Sequence, residues 1–274
     1  TSIGDMGADM SILASKIGVD PTVTSVGTTN LRMWYKLGGT EAAGTNGVPD
    51  DSPQSNTGTL TGTTPINDAF SVNVQGDGTT TTDGTFDVSQ GKLECLSLTA
   101  PSFDGSADYI TVADASSLDL TTAFTLSCWA MRSVDNIDME YLMSKMQVST
   151  ERSYAMYVHD KKLVVYAADG NSSNRGFVKS INEFTYNVWN HFVVTYDGSG
   201  PTLKVYINGV DDTDTQSSSG TWTSLYNNDA PFRIADGNME DPAEVNRFTG
   251  KIRDVRMYDY TFSDEQVASL YSGD

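Results

Sequence analysis

The clearest pattern in the chain covers residues 189–208, where two runs alternate large apolar and polar side chains. A break with the sequence DGSGP separates the two runs. Alternation with a period of two, rich in Val, Tyr and Phe, is typical of β-strands, and a Gly- and Pro-containing break is typical of a hairpin connection. One face of this hairpin is too apolar to stand alone in water, so the sequence predicts a second sheet packed over it.

Similar runs predict strands along most of the chain. Each run is bounded by turn-forming residues, and the predicted strands cover residues 31–37, 92–98, 109–112, 124–131, 141–145, 154–159, 162–167, 175–180, 230–235 and 251–258. Residues 38–59 predict a long loop, and the Thr- and Gly-rich residues 61–90 predict ragged strands and turns. A short helix is predicted over residues 263–269, because Ser263 begins a capping pattern. Many short strands with little helix predict an all-β fold, a two-sheet antiparallel sandwich.

Residues 1–29 differ from the rest of the chain. Met10, Leu13 and Ile17 share one face of a predicted short helix. A helix of about ten residues is marginal alone, so this one needs a docking surface. Two interpretations remain open, a frayed terminus and an arm that packs on a neighbouring subunit. The predicted organisation is therefore an N-terminal arm followed by one sandwich domain over residues 30–274.

Composition narrows the class of protein. The chain has 274 residues, of which 38% are hydrophobic and 10% aromatic, which is enough for a real core. Its formal net charge of −19 repels nucleic-acid phosphates and disfavours anionic membranes, so we expect no nucleic-acid partner. The chain has no apolar run near 18 residues, so we expect no membrane insertion.

The termini and cysteines give no further indication of the class of protein. Residues 1–20 show no basic start followed by an apolar block, so a secretory signal is not predicted. Thr1 is small enough to follow a clipped initiator Met, although a mature chain cut from a precursor would look the same. Cys95 and Cys128 give neither a disulfide framework nor a zinc spacing, and both are interpreted as buried thiols in strands.

Five segments together resemble a known family. In chain order they are LRMWYKLGG with DDSPQSNTGTLTG, SFDGSADYITVADASSLDL, FTLSCWAM, WNHFVVTYDGSGPTLKVYINGV and FTGKIRDVRMYDYTFSDEQVASLY, which span about residues 31–271. The chain resembles the laminin-G-like, concanavalin A-like jelly-roll domains common in bacterial and viral surface proteins. This resemblance implies a jelly-roll sandwich. It does not name a ligand, because the fold hosts lectins, glycosidases, adhesins and structural modules.

Catalysis is not predicted. Glycoside hydrolases of this fold use a Glu-x-Asp-x-Glu strand, and the nearest string here runs from Asn136 to Glu140. Asn136 stands at the nucleophile position and cannot attack an anomeric carbon. Of the two histidines, His191 is interpreted as a packing residue and His159 as a solvated turn residue. No nucleophile motif accompanies either of them.

The resemblance implies a candidate calcium site. In many concanavalin-like folds a structural calcium joins the first and last strands, and Asp254 stands at the matching position of the last strand. Asp51 is a candidate second ligand, since carboxylates are typical calcium ligands. Arg253 replaces an acidic residue of many relatives. The alternative is that these carboxylates are salt-bridged or solvated.

A second candidate site would bind glycans. Stacking on sugars needs exposed aromatic rings, and sugar hydroxyls need amide or carboxylate partners. Two loops supply this chemistry, and the candidate residues are Trp222, Tyr226, Asn227, Asn228, Asp229, Asn171 and Asn174. Sugar contact, subunit contact and ordinary packing all remain open for Trp222. The other tryptophans lie in predicted strands and are assigned to the core.

The sequence therefore predicts a non-catalytic surface subunit. The arm and the lack of a secretion signal favour a virion-type decoration, capsid-associated or fibre protein on the exterior of a particle, with other subunits and cell-surface glycans as partners. The alternative is a carbohydrate-binding or adhesion module of a larger secreted protein. A glycoside hydrolase is the third hypothesis.

Overall fold

The computed structural model describes most of the predicted sandwich. The described residues are 30–35, 37, 48, 50–61, 71–75, 92–97, 100–135, 138–147, 151–170, 173–220, 222, 224–237 and 246–272, with backbone only for 71–75 and 92–97. The arm, with Met10, Leu13 and Ile17, lies outside these residues. Asn171 of the second glycan loop lies outside them as well.

The described part of the chain contains seventeen strands and one α-helix. The strands are β1 Leu31–Tyr35, β2 Gly58–Thr61, β3 Ser71–Gln75, β4 Lys92–Ser97, β5 Ser102–Asp104, β6 Tyr109–Val112, β7 Ala123–Arg132, β8 Glu140–Gln147, β9 Glu151–His159, β10 Lys162–Gly170, β11 Arg175–Lys179, β12 Asn190–Asp197, β13 Thr202–Ile207, β14 Val210–Asp211, β15 Ser217–Ser219, β16 Phe232–Ile234 and β17 Thr249–Tyr258. A 3₁₀ turn covers Ser116–Leu118, and helix α1 covers Asp264–Ser272.

Two antiparallel sheets form the sandwich, which confirms the predicted all-β fold. The first sheet has the order β1-β17-β7-β12-β13-β14, with β5 also paired to β17. The second sheet has the order β15-β11-β10-β9-β8-β16-β6-β2, and β3 pairs separately with β4. Neighbours that are distant in sequence, such as β17 beside β7, show that the chain crosses repeatedly between the two sheets, as in a jelly roll.

The core lies between the inward faces of the sheets. Phe124 of β7, in the first sheet, packs on Tyr154 of β9, in the second, with ring centroids 5.3 Å apart. Both side chains are fully buried. Cys128 is buried in the same layer and forms no disulfide. The predicted inter-sheet packing is therefore present, whereas the side chain of Cys95 lies outside the described residues.

The central hairpin forms where the alternation predicted it. Strands β12 and β13 pair from Phe192↔Ile207 to Asp197↔Thr202. At the next turn, Asn208 and Gly209 both have positive φ, 54° and 81°, as a type I′ connection requires. β12 also pairs with β7 in the first sheet.

The helix prediction is confirmed, whereas the loop prediction was partly wrong. The Ser263 hydroxyl accepts a hydrogen bond from the Gln266 backbone N–H, and the Gln266 side chain accepts one from the Ser263 N–H. This reciprocal pair is a capping box. Gly58, assigned to a loop, begins β2 instead. A Cβ there would approach Ile110 to 2.8 Å, so this strand position needs glycine's small size. None of the helices among the described residues has the length and apolarity needed to cross a membrane.

Candidate functional site

The outer face of the second sheet carries a groove of about 370 Å³ across strands β8 to β11. Its apolar wall consists of Met139, Tyr141, Met146, Tyr157, Tyr166 and Phe177. Its basic lining consists of Arg152, His159, Arg175 and Lys179. This volume falls within the range of pockets that bind small molecules. No carboxylate is among the described lining residues.

Strand periodicity places these side chains on one face. In β9, Tyr154 and Met156 belong to the core, so Ala155 and Tyr157 point outward. In β10, Tyr166 lies outward opposite Ala155 on one side and Phe177 of β11 on the other. The outward residues of adjacent strands therefore line up across the sheet and form a continuous surface.

Small residues form the floor of this surface and aromatic rings form its walls. Ala155 and Ala168 are fully buried although they lie on the outer side, because larger neighbours surround them. The rings of Tyr141 and Tyr157 lie 5.2 Å apart at 43°. A flat ligand can contact rings of this kind across their faces, since aromatic side chains offer large rigid apolar areas.

Two polar atoms in the groove have no hydrogen-bond partner among the described residues. They are the hydroxyl of Tyr166, a residue only 7% exposed, and Nε of the half-buried Arg152. Leaving a buried polar group without a partner costs about 1–3 kcal/mol. A ligand that bonds these two atoms would remove this cost.

The groove also carries two arginines that pair with no carboxylate among the described residues. Among the described carboxylates, none lies within 4 Å of the guanidinium groups of Arg152 and Arg175, whereas Lys179 pairs with Asp160 at 3.0 Å. Burial raises the pKa of the Tyr157 phenol, and the two arginines oppose this rise. Both arginines therefore lie close to the aromatic wall.

The structure favours ordinary packing among the three alternatives for Trp222. This side chain is only 5% exposed and stacks on Tyr196, with centroids 5.4 Å apart and planes at 18°. A Cβ on Gly176 would come within 2.7 Å of the Trp222 ring, which shows how closely the indole is packed. Ordinary packing is thus the correct alternative for Trp222, because a buried indole cannot stack on a sugar.

The neighbouring predicted residues divide into buried and exposed ones. Asn228 is buried, and its amide donates to the Glu151 carbonyl at 2.8 Å. Tyr226 is 39% exposed and its ring lies against Gly170. Asn227 and Asp229 are exposed beside it. Their role in glycan contact stays a prediction, whereas Asn228 is held by the backbone.

The second predicted loop contributes one described residue. The side-chain amide of Asn174 donates to the Asp169 carboxylate at 2.9 Å. This bond joins the residue before β11 to the end of β10. A glycan contact of Asn174 stays a prediction.

Asp254 does not fit a calcium ligand. Its carboxylate accepts two hydrogen bonds from Arg256, at 2.7 and 3.0 Å, and one from the Trp34 indole at 2.8 Å. Asp51 is exposed on its loop. Among the described residues, no three acidic, histidine or cysteine side chains converge as a metal site requires. The salt-bridged alternative describes Asp254, and the calcium site stays a prediction that these residues do not support.

The adjacent Asp50 has a clearer role than Asp51. Its carboxylate accepts from the backbone N–H groups of Trp34, Ser52 and Asn56, at 2.8, 2.9 and 2.7 Å. These bonds hold the loop against β1. Asp50 was not among the predicted site residues, although an Asp two residues before a Ser is a common turn signal.

The predicted acid string does not form an acid pair. Glu140 is buried and its carboxylate binds Nε of Arg132 at 2.8 Å. Asp138 is exposed, and Asn136 lies outside the described residues. His191 is fully buried, as predicted for a packing residue, whereas His159 is partly exposed beside Asp160.

The comparisons with known proteins agree with this architecture. The family model Laminin_G_3, described as the concanavalin A-like lectin/glucanases superfamily, matches residues 104–268. The search of curated proteins found no significant match.

Solved structures share the fold at low sequence identity. Domain 4 of AbnA, an extracellular arabinanase of Geobacillus stearothermophilus solved with arabinotriose, is 18% identical, with a TM-score of 0.55 over 88% of this chain and 98% of that domain. The receptor-binding domain of the botulinum neurotoxin C/D mosaic is 15% identical, with a TM-score of 0.58 over 90% of this chain. A botulinum neurotoxin type C structure is 12% identical, with a TM-score of 0.54 over 89% of this chain. This chain spans about half of each toxin chain, 52% and 51%.

Proposed function

We propose that this chain, which belongs to the concanavalin A-like lectin/glucanase superfamily, is a non-catalytic recognition module that binds saccharides in the groove of its second sheet. The groove residues are Tyr141, Tyr157, Tyr166 and Phe177 together with Arg152 and Arg175. The fold and family are compatible with binding and with hydrolysis, so the choice between them depends on the residues of the site.

The observation that carries this proposal is the Tyr166 hydroxyl inside an aromatic groove, which has no hydrogen-bond partner among the described residues. Saccharides present flat apolar faces and hydroxyl groups together. Tyr157 offers a ring to such a face, and the Tyr166 hydroxyl offers a hydrogen bond to such a hydroxyl. A purely apolar ligand would leave this buried hydroxyl without a partner, so binding of such a ligand is disfavoured.

The composition of the groove supports a non-catalytic role. Glycoside hydrolysis canonically needs two carboxyl groups that flank the scissile bond. The described lining of the groove supplies none, and the buried Glu140 is already bound to Arg132. The groove therefore has the chemistry for holding a saccharide rather than cleaving it.

The structural neighbours support the same class of ligand. AbnA domain 4 was solved in complex with arabinotriose. Cell entry of botulinum neurotoxin type C depends on interaction with two ganglioside molecules. At these identities the likeness extends to the fold alone, so this chain's own groove residues, and no residue of those proteins, define the site proposed here.

Binding of a saccharide panel to Tyr157→Ala and Tyr226→Ala tests the location of the site. Loss of the Tyr157 ring should weaken binding about tenfold, which is about 1.4 kcal/mol, because it forms the aromatic wall. Tyr226 is an exposed ring outside the groove lining and serves as the matched control. Calorimetry provides the affinities, and circular dichroism confirms that both variants fold.

The reverse pattern would place the site on the loop instead. If Tyr226→Ala abolishes binding and Tyr157→Ala does not, the groove proposal fails. Failure of the wild-type chain to bind any saccharide in a broad glycan panel would contradict the function itself.

The setting of the module remains a choice between two proposals. The sequence of residues 1–29 favours a subunit of a surface assembly, such as a virion decoration, fibre or capsid-associated protein. The 98% coverage of AbnA domain 4 supports the alternative, a module of a larger secreted protein. Deletion of residues 1–29 separates the two, because an assembly subunit should stay folded but lose incorporation, whereas a module should retain all binding.

A further inference from the structure

We infer that the saccharide held in the groove is acidic, and that Arg152 and Arg175 bind its carboxylate or sulfate group. This inference rests on the proposed function and adds the class of ligand. The sequence analysis did not single out these two arginines. The register of the strands brings them to one end of the groove.

The two arginines flank the same strand. Arg175 of β11 lies opposite Ala168 of β10, and Arg152 of β9 pairs on the other side of β10 opposite Gly170. Between them β10 presents Ala168, which is fully buried among its larger neighbours. The register therefore sets the two arginines on the strands that flank β10, and both side chains line the groove.

Among the described residues, both groups lack the carboxylate partner that several other cations have. Lys145 binds Asp114 at 2.5 Å, Lys161 binds Asp135 at 2.9 Å and Arg256 binds Asp254 at 2.7 Å. The chain carries 36 acidic residues against 17 basic ones. In so acidic a chain, two groove arginines without a neighbouring carboxylate among the described residues point to a ligand that carries the negative charge.

The chemistry of the site selects an anion of a particular kind. Guanidinium groups bind carboxylate and sulfate oxygens through paired N–H donors, and these bonds strengthen where the groove excludes water. The net charge of −19 repels anions in general, so an acidic ligand must gain short-range bonds to remain bound. The Tyr157 ring and the Tyr166 hydroxyl supply the remaining contacts that a sugar ring uses.

Matched pairs of probes test this inference on the full chain. Trigalacturonate is compared with its methyl ester, and sialyllactose with lactose, by calorimetry. At least one acidic member should bind about tenfold more tightly than its neutral partner. Polyglutamate serves as an acidic peptide without sugar rings and should bind much more weakly than that acidic saccharide.

Charge-removing variants identify the residues involved. Arg152→Gln and Arg175→Gln should each lower affinity for the acidic member about tenfold and lower affinity for the neutral member by a clearly smaller factor. Lys162→Gln removes one charge from β10 outside the groove lining and should change affinity less than about twofold. An equal loss in all three variants would mean a diffuse charge effect and would overturn the assignment to the two arginines.

The outcomes separate this inference from the proposed function. Equal binding of the acidic and neutral members, lost in Tyr157→Ala, would overturn the acidic ligand and leave saccharide recognition standing. Equal binding of polyglutamate and the acidic saccharides would show that the groove recognises charge alone, which contradicts both. Binding of no probe and of no panel saccharide would also contradict both.

Discussion

The outer faces of the two sheets differ in whether the rest of the chain covers them. The outer face of the first sheet is covered, because Tyr206 and Tyr258 pack with Phe262 and with Val267 and Leu270 of α1 in a buried cluster. The outer face of the second sheet carries an equally aromatic set, including Tyr157, Tyr166 and Phe177, that lines an open groove. The same side-chain chemistry thus packs against the chain on one face and faces outward on the other.

The arginines of the two faces also differ, in whether a carboxylate of the described residues lies beside them. On the covered face, Arg256 lies over the Trp34 ring at 4.7 Å and donates two hydrogen bonds to Asp254. On the open face, Arg152 and Arg175 have no such carboxylate among the described residues. Arg256 is buried under the covered face, where water cannot solvate it, and Asp254 supplies its partner. An open face that leaves its polar groups unsatisfied is typical of a binding surface.

The largest expected effect is on the covered face. Phe262 is almost fully buried, and its ring centroid lies 4.6 Å from that of Tyr258. Phe262→Ala should lower the free energy of unfolding by about 3–5 kcal/mol, because it removes a buried ring and leaves a cavity under α1. Urea denaturation followed by tryptophan fluorescence measures this loss.

The control for this variant lies on the open face. Phe177 is half-buried, so Phe177→Ala should cost less than about 2 kcal/mol, as expected for partial burial. Saccharide affinity should change in the opposite order, with a loss for Phe177→Ala and none for Phe262→Ala. Equal stability losses in the two variants would mean that both faces are structural.

The pH dependence of stability should report on His191, beneath the covered face. Burial lowers the pKa of His191 to about 3, with Arg256 adding to this effect and Asp254 opposing it. The unfolded chain takes up this proton near pH 6.5, so it binds more protons than the folded chain between pH 6.5 and about 3. Stability should therefore fall as pH falls through this window, by up to about 1.4 kcal/mol per pH unit from this residue.

A matched variant isolates the histidine from the carboxylates. His191→Gln keeps a polar group that can face Ser127, whose hydroxyl lies 3.3 Å from Nε2 of His191. The unfolding free energy of this variant should change less between pH 6 and 4 than that of the wild type. Parallel pH profiles for the two proteins would show that His191 is not the source of the slope.

Local signals were predictable from the sequence, and long-range partners were not. The Ser263 capping box and the turn at Asn208 and Gly209 depend on residues within a few positions of each other, so pattern alone indicated them. Trp222 lies in a polar segment, and its partner Tyr196 comes from a distant strand. An isolated tryptophan among Ser and Thr resembles an exposed one until the fold brings that partner to it.

The groove could not be predicted from the sequence for a related reason. In β9 both alternating sets carry apolar residues, with Tyr154 facing the core and Tyr157 facing outward, so alternation could not say which set was buried. The pair of Asp254 and Arg256 could have been recognised, because residues two apart in a strand share a face. The family resemblance directed attention to calcium at that position instead.

The smallest expected effect is the loss of stability when the groove arginines are changed. Arg152→Gln and Arg175→Gln should each lower the free energy of unfolding by no more than about 0.5 kcal/mol, because no described carboxylate loses a partner and glutamine keeps part of the side-chain stem. Arg256→Gln is the matched variant on the covered face. It should cost about 3 kcal/mol, since Asp254 would be left as a buried charge without its bidentate partner. Thermal and urea denaturation of the three variants measure this contrast. A loss of several kcal/mol in the groove variants would mean that these arginines stabilise the fold. The two faces would then differ in shape, but the arginines of both would be structural.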